Sequence, residues 1–254
     1  MNEKKNIVVC GYPKSGTTWL SRLIAELVEC PLQGNLESPE GVQEGLERIS
    51  EYACYKSHHT YETLVSGELD DYYKAVYIVR DPRDVAISAA HHFRVRHFSL
   101  PGRNRLVSTL KRCGNRVAPQ FLRRKRLIQA VLYGDSSISY WLGTPWRDHY
   151  GSFSRSNKLI LKYEDLLDHP VQSCNKLLSY LGISKSNDSV TQAIDTQSFQ
   201  NKRDRLKSHG MMSEYAFLRR GGYEYWRHEL SRKENRLFID ELGPELAALS
   251  YPIV

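Results

Sequence analysis

The sequence predicts an α/β fold, a parallel sheet flanked by helices, on three observations. Short apolar runs of strand length stand at 7–11, 52–56, 75–79 and 158–161. Apolar residues at helical spacing, such as Leu20, Leu23, Ile24, Leu27 and Val28, lie between and after them. Two of the runs pass through a short turn directly into a helical segment, the pattern of strands joined by helical crossovers.

In chain order, the run at 7–11 ends in Gly11-Tyr12-Pro13, as a buried strand entering a loop does, and the helical pattern through 20–28 follows. At 75–79 the same grammar returns. Arg80-Asp81-Pro82 closes that run, with Asp81 placed to cap a helix and Pro82 to fill its first position. Further helices fit 171–181, stopped by Gly182, and 232–242, stopped by Gly243. Residues 95–126 fit neither period, because Pro101-Gly102, Cys113-Gly114 and Pro119 interrupt them, and they read as a surface excursion with at most one helix.

A chain of 254 residues, 41% hydrophobic and 26% charged, suits one globular domain over 1–254. No apolar run nears the roughly 18 to 20 residues of a membrane span and no hydrophobic leader opens the chain, so a soluble, cytoplasmic protein is expected. Five cysteines, Cys10, Cys30, Cys54, Cys113 and Cys174, are odd in number and form no CxxC pair. Free thiols are expected, not zinc or dithiol redox chemistry. The net charge of +7 is local: 94–126 holds eleven Lys or Arg, and no acidic residue occurs between Asp84 and Asp135.

Gly11-Tyr12-Pro13-Lys14-Ser15-Gly16-Thr17-Thr18-Trp19 sets small residues, hydroxyls and one lysine between a buried strand and an amphipathic helix. Unpaired N–H groups and the helix dipole attract anions there. It is not a Walker A loop, since Lys14 precedes Gly16 and the hydroxyls of Thr17 and Thr18 follow it, which disfavours an ATP kinase. The alternative is a plain strand-to-helix turn with a solvated lysine.

On these residues the chain resembles the cytosolic-type sulfotransferase family, whose 5′-phosphosulfate loop reads YPKSGTTW; Tyr12 to Trp19 match it residue for residue. The resemblance implies a P-loop-NTPase-like sulfotransferase fold and 3′-phosphoadenosine 5′-phosphosulfate (PAPS) as donor. It also implies donor contacts from Lys14, Ser15, Gly16, Thr17 and Thr18, with Trp19 stacked on the adenine. Without the resemblance, an aromatic on the first turn of a core helix is packing. The family's second signature, approximately R-[DN]-P-[RK]-D-V-A-[IV]-S, is met throughout by Arg80 to Ser88, implying that Arg80 and Ser88 hold the 3′-phosphate. A planar guanidinium fork and a hydroxyl about two helical turns further on suit phosphate oxygens. Arg83 and Asp84 are assigned a structural ion-pair role.

Near the C-terminus the family carries RKGxxGDWK, met here by Arg219-Arg220-Gly221 and Trp226-Arg227, while its internal Gly-Asp is replaced by Glu224-Tyr225. By resemblance Arg219, Arg220 and the Gly221 backbone close over the 3′-phosphate. Lys162-Tyr163-Glu164-Asp165 looks like the family's YED element, with Tyr163 on the adenosine, and Ser198-Phe199 like its adenine contact through Phe199. The resemblance runs from Gly11 to Arg227 and leaves 95–150 and the C-terminal tail uncovered.

Sulfuryl transfer requires that the acceptor hydroxyl or amine lose a proton, that charge on the leaving oxygen be neutralised, and that nucleophile, sulfur and leaving oxygen lie in line. Lys56-Ser57-His58 resembles the family's K-[TS]-H, implying His58 as general base and Lys56 beside the transferring group, with Lys14 on the bridging oxygen. His59 stands where the family usually has leucine, and on an extended backbone it faces away from His58. His91 and His92 are rival bases, His91 read as packed near the site and His92 as surface. A sulfuryl group carries less charge than a phosphoryl group, so no metal is required, and the scattered Cys, His and Asp suggest no metal cluster.

The excursion at about 95–126 follows the 3′-phosphate helix and is the candidate acceptor lid. Its charge favours an anionic acceptor, such as a carboxylated or sulfated sugar, a lipid headgroup or a carrier-bound intermediate; the alternative is a solvated basic surface. Two other functions stay open. A metal-dependent phosphoryl-transfer enzyme with a variant loop would bind ATP without regard to a 3′-phosphate, and a nucleic-acid-binding module would use 94–126. A base beside a phosphate cradle argues against a pure binder, so the expected partner is a small-molecule, carrier, sugar or lipid acceptor and not nucleic acid.

Overall fold

Alternation within the strands sets the layers. In β1 (Lys5–Cys10), Ile7 and Val9 enter one core and Val8 and Cys10 another, and all four are buried. A strand buried on both faces belongs inside a sheet covered on both sides. The computed structural model describes residues 5–36, 38–66, 73–93, 120–208 and 221–253. The other strands are β2 (Leu32–Asn35), β3 (Ser38–Glu44), β4 (Tyr52–Ser57), β5 (Tyr73–Val79) and β6 (Leu159–Lys162). The order across the sheet is β3-β2-β4-β1-β5-β6, parallel throughout except for the β2–β3 edge pair. That edge pair carries no apolar run to betray it: β3 contains Pro39 and Gly41, which an edge strand tolerates.

Helix α1 (Thr17–Val28) covers the Ile7 and Val9 face together with the helices Pro170–Leu181 and Asn187–Thr196, through Leu20, Leu23, Leu27, Leu177 and Val190. The opposite face is covered by α2 (Tyr61–Ser66), α3 (Pro82–His92) and the helices Gln120–Tyr133, Trp146–Ser154 and Arg232–Ala248. Asp81 caps α3 by accepting from the Arg83 N–H, and Gly182, left-handed at φ 72, ends its helix. Gly243 does not end the last helix, which runs on to Ala248 through Pro244. Phe238, Leu242 and Leu246 recur four apart and are fully buried, so core packing carries the helix past the missing proline N–H.

Of the basic excursion, 94–119 lie outside the described residues, and with them the lid. The rest opens the helix Gln120–Tyr133, where Arg124 and Arg126 pair with Glu234 and Asp135. Cys10, Cys30, Cys54 and Cys174 are buried and in no disulfide among the described residues, while Cys113 lies outside the described residues. Among the described residues no helix is long and apolar enough to cross a membrane.

The parallel register places Cys10 beside Ser57 and Tyr77, and Val79 beside Lys162. Gly11, His58, Arg80 and Tyr163, each the residue immediately after one of these strands, therefore emerge at one carboxyl edge, where open α/β sheets bind ligands.

Candidate active site

The loop after β1 turns on two left-handed residues, Lys14 at φ 74 and Gly16 at φ 101. Successive N–H groups of such a turn line an anion-binding hollow. A Cβ on Gly16 would sit 2.7 Å from the Tyr163 ring, so the close approach as well as the φ requires glycine. α1 then starts without a side-chain cap, leaving its first N–H groups for a ligand. Burial, then the charges of Arg80 and Lys56, lower Lys14 to about 8. Ser15 Oγ and Arg80 Nε are buried and have no hydrogen-bond partner.

Arg80 is also a tie. Its Nη1 donates to the Lys14 carbonyl at 3.3 Å and its Nη2 to the Gly222 carbonyl at 3.0 Å, with the guanidinium 4.4 Å over the Tyr163 ring. The 221–226 loop is fastened a second time by Asp84, whose carboxylate accepts from the Glu224 N–H at 2.6 Å and the Trp226 N–H at 3.0 Å. Burial pushes Asp84 up to about 6, against the pull of Arg80. Of the structural ion-pair role expected of Arg83 and Asp84, fully buried Arg83 takes one, with Asp81 at 2.7 Å, its guanidinium 3.6 Å over Trp226, while Asp84 binds main-chain amides. Glu224, standing where the resemblance has glycine, adopts a left-handed φ of 60, and the Asp84 and Arg227 contacts hold it there at a backbone cost of about 1–2 kcal/mol.

On the nucleoside side, Trp19 is half-buried. Its Nε1 donates to the Gln197 carbonyl at 2.9 Å and its ring meets Tyr163 edge-on at 5.5 Å. Phe199 packs so closely on Gly221 that a Cβ there would overlap its ring. Ser88 is half-buried on α3, while Arg219 and Arg220 lie outside the described residues.

His58 follows β4 and its Nδ1 donates to the Gly11 carbonyl at 2.7 Å, which leaves Nε2 as the acceptor. Burial first, then Lys56, Lys14 and the His149 ring, hold the imidazole neutral, down to about 3. Strand alternation does not separate His58 from His59, because β4 ends at Ser57. Both rings reach Trp141, at 5.8 and 5.0 Å. Both α3 histidines are exposed, so His91 is not packed as expected and His92 lies on the surface as expected; His91 approaches Glu229 at 3.8 Å, and partial burial, then the charges of Lys14 and Lys56, lower His92 to about 4. Two residues near the base escaped the sequence reading: Trp141, and His149, buried in the helix Trp146–Ser154. The only signal for His149 is its place between Trp146 and Phe153 on that helix's apolar stripe.

A sulfotransferase domain profile matches residues 4–248. Cattle sulfotransferase 1A1 (Bos taurus) is 24% identical over 95% of this chain and 83% of its own. Human sulfotransferase 6B1 is 24% identical over 96% of this chain and 77% of its own. Among solved structures, mouse sulfotransferase SULT7A1 complexed with PAP superposes with a TM-score of 0.65 at 23% identity, covering 96% of this chain and 85% of that one. Retinol dehydratase in complex with androsterone and inactive cofactor PAP superposes at 0.62 with 18% identity, covering 97% and 82%. The superpositions agree with the mainly parallel sheet and its flanking helices, and the profile spans nearly every element described above: the chain belongs to the sulfotransferase domain family.

Proposed function

We propose that the protein transfers the sulfuryl group of PAPS to a hydroxyl or amine of a small-molecule acceptor, with His58 as general base. The observation that carries this reading is the cradle itself. Two buried polar atoms have no partner, Ser15 Oγ beside Lys14 before the uncapped start of α1 and Nε of Arg80, which ties to the Lys14 carbonyl; a nucleotide with 5′ and 3′ anions would satisfy them. The PAP held by two similar structures supports the same donor, and the androsterone in one of them supports a small molecule opposite it.

PAPS supplies an activated sulfuryl group on its 5′-phosphate. Lys14 and the N–H groups from Ser15 to Thr18 bind that end and neutralise charge on the leaving oxygen. Arg80 and Ser88, with Arg219, Arg220 and the Gly221 backbone, hold the 3′-phosphate. Trp19, Tyr163 and Phe199 enclose the adenine. His58, neutral at pH 7, takes the acceptor proton at Nε2 while Nδ1 stays on Gly11, and Lys56 lies beside the transferring group.

The test is a thermal-shift titration with 3′-phosphoadenosine 5′-phosphate, AMP, and ATP with magnesium. A ligand at 100 times its Kd stabilises the native state by about 2.7 kcal/mol. Selective stabilisation by the 3′,5′-bisphosphate is expected. A response to ATP with magnesium alone would replace this reading with phosphoryl transfer.

A further inference from the structure

Because β4 ends at Ser57, residues 58–61 leave the sheet without ladder partners, yet they carry the proposed base. One helix, Trp146–Ser154, fastens both ends of that segment. His149 Nε2 donates to the His58 carbonyl at 2.9 Å. Nearly one turn later, Ser152 Oγ accepts the Tyr61 N–H at 3.0 Å and donates to the His149 carbonyl at 2.8 Å. His149 and Ser152 are both buried, three residues apart on one helix face.

The direction of the His149 bond follows from its two nitrogens. A carbonyl can only accept, so Nε2 carries the proton, and in the neutral ring Nδ1 accepts from the Tyr77 hydroxyl at 2.9 Å. Burial keeps the ring neutral, pushing it down to about 4. Tyr77 is itself fully buried on an interior strand of the sheet. The His149 ring stands perpendicular to Tyr12 at 5.6 Å and stacks on Phe153 at 6.1 Å. One imidazole thus joins the phosphate loop, the sheet and the segment that bears His58.

We propose that His149 is a positioning residue for sulfuryl transfer, holding the His58 main chain so that His58 Nε2 meets the acceptor proton at a fixed distance from the phosphate loop. The proposal rests on His58 being the base. It gives His149 no contact with donor or acceptor, since both its nitrogens are committed.

His149→Phe keeps a ring between Tyr12 and Phe153 but removes both hydrogen bonds, whereas His149→Gln returns an N–H donor near the Nε2 position. PAP release from PAPS is followed with p-nitrophenol as probe acceptor and with water alone, beside His58→Ala, while PAP affinity is read by thermal shift. His149→Phe should lower kcat about 10- to 100-fold with KM for PAPS and the PAP-induced shift unchanged, and His149→Gln should recover most of the rate. Equal losses of kcat and PAP affinity would overturn the positioning role and leave the base assignment standing, as would a wild-type kcat in His149→Phe beside an inactive His58→Ala. Full turnover in His58→Ala would overturn the base assignment itself. If His149→Phe does not fold, Tyr77→Phe removes only the hydroxyl that holds His149 Nδ1. Nitrogen-15 NMR of the His58 ring in the PAP-saturated protein then decides: mixed tautomers support the proposal, and an unchanged single Nδ1–H form overturns it.

Discussion

The proposed donor side and the proposed acceptor side of the cleft are held together by different means. On the donor side the charged groups are also structural ties: Arg80 joins the Lys14 and Gly222 carbonyls, Asp84 gathers two amides of the 221–226 loop, and Arg83 packs on Trp226. On the proposed acceptor side, among the described residues, rings stand beyond His58: Trp141 against His59, and the largely exposed Tyr140. Phosphate oxygens are the same in every donor molecule, so backbone and fixed cations can serve them. An acceptor differs from enzyme to enzyme, and replaceable side chains on short loops suit that variation.

If this division is right, the largest loss should come from the donor side. Lys14→Ala removes a preorganised cation from the leaving oxygen, which typically costs about 2.7 to 4 kcal/mol in barrier, or roughly 100- to 1,000-fold in kcat. Near-normal turnover would move the role to Lys56. The same residue sets a pH dependence. Held to about 8 in the free protein, Lys14 loses its proton as pH rises through that value, whereas a bound bisphosphate favours its charged form. PAP-induced stabilisation should therefore fall above about pH 8, and that fall should be absent from Lys14→Ala. The free protein runs the other way. Between about 8 and the ordinary 10.5 the native state binds fewer protons at Lys14 than the unfolded chain, so this residue's contribution to stability rises with pH.

A smaller effect is expected at Gly221→Ala, whose new Cβ overlaps the Phe199 ring. Overpacking of this kind costs about 1 to 3 kcal/mol. Calorimetry should show it as weaker PAP binding while kcat at saturating donor changes little. An unchanged Kd would mean that Phe199 is not a wall of the adenine site.

The same division decides what could be read from sequence. Lys14, Ser15 and Gly16 are contiguous, and the cap at Asp81-Pro82 is local, so the chemistry of the donor loop and the start of α3 shows in short strings. The Asp84 bond to Glu224 joins residues 140 apart, and the His149 bond to His58 joins residues 91 apart; neither leaves a local pattern. Where local rules misled, a tertiary term had the larger magnitude. Buried Leu246 carried the last helix past Gly243 and Pro244, and the end of β4 at Ser57 released His59 from strand alternation.

The smallest effect, and the sharpest test of the acceptor side, lies at Trp141. Its ring meets both His58 and His59 and carries Tyr140 edge-on at 5.0 Å, so it forms a ledge beside the proposed base. Aromatic contacts of this kind contribute about 0.5 to 1.5 kcal/mol beyond burial, which corresponds to roughly 2- to 10-fold in a binding constant. Trp141→Ala should raise KM for p-nitrophenol within that range and leave KM for PAPS and the PAP-induced shift unchanged. A fall in kcat at unchanged acceptor KM would instead make Trp141 a packing partner of His58, and the ledge would belong with His149 to the support of the base. A loss of PAP affinity would break the division itself, because a residue on the acceptor side would then be carrying the donor.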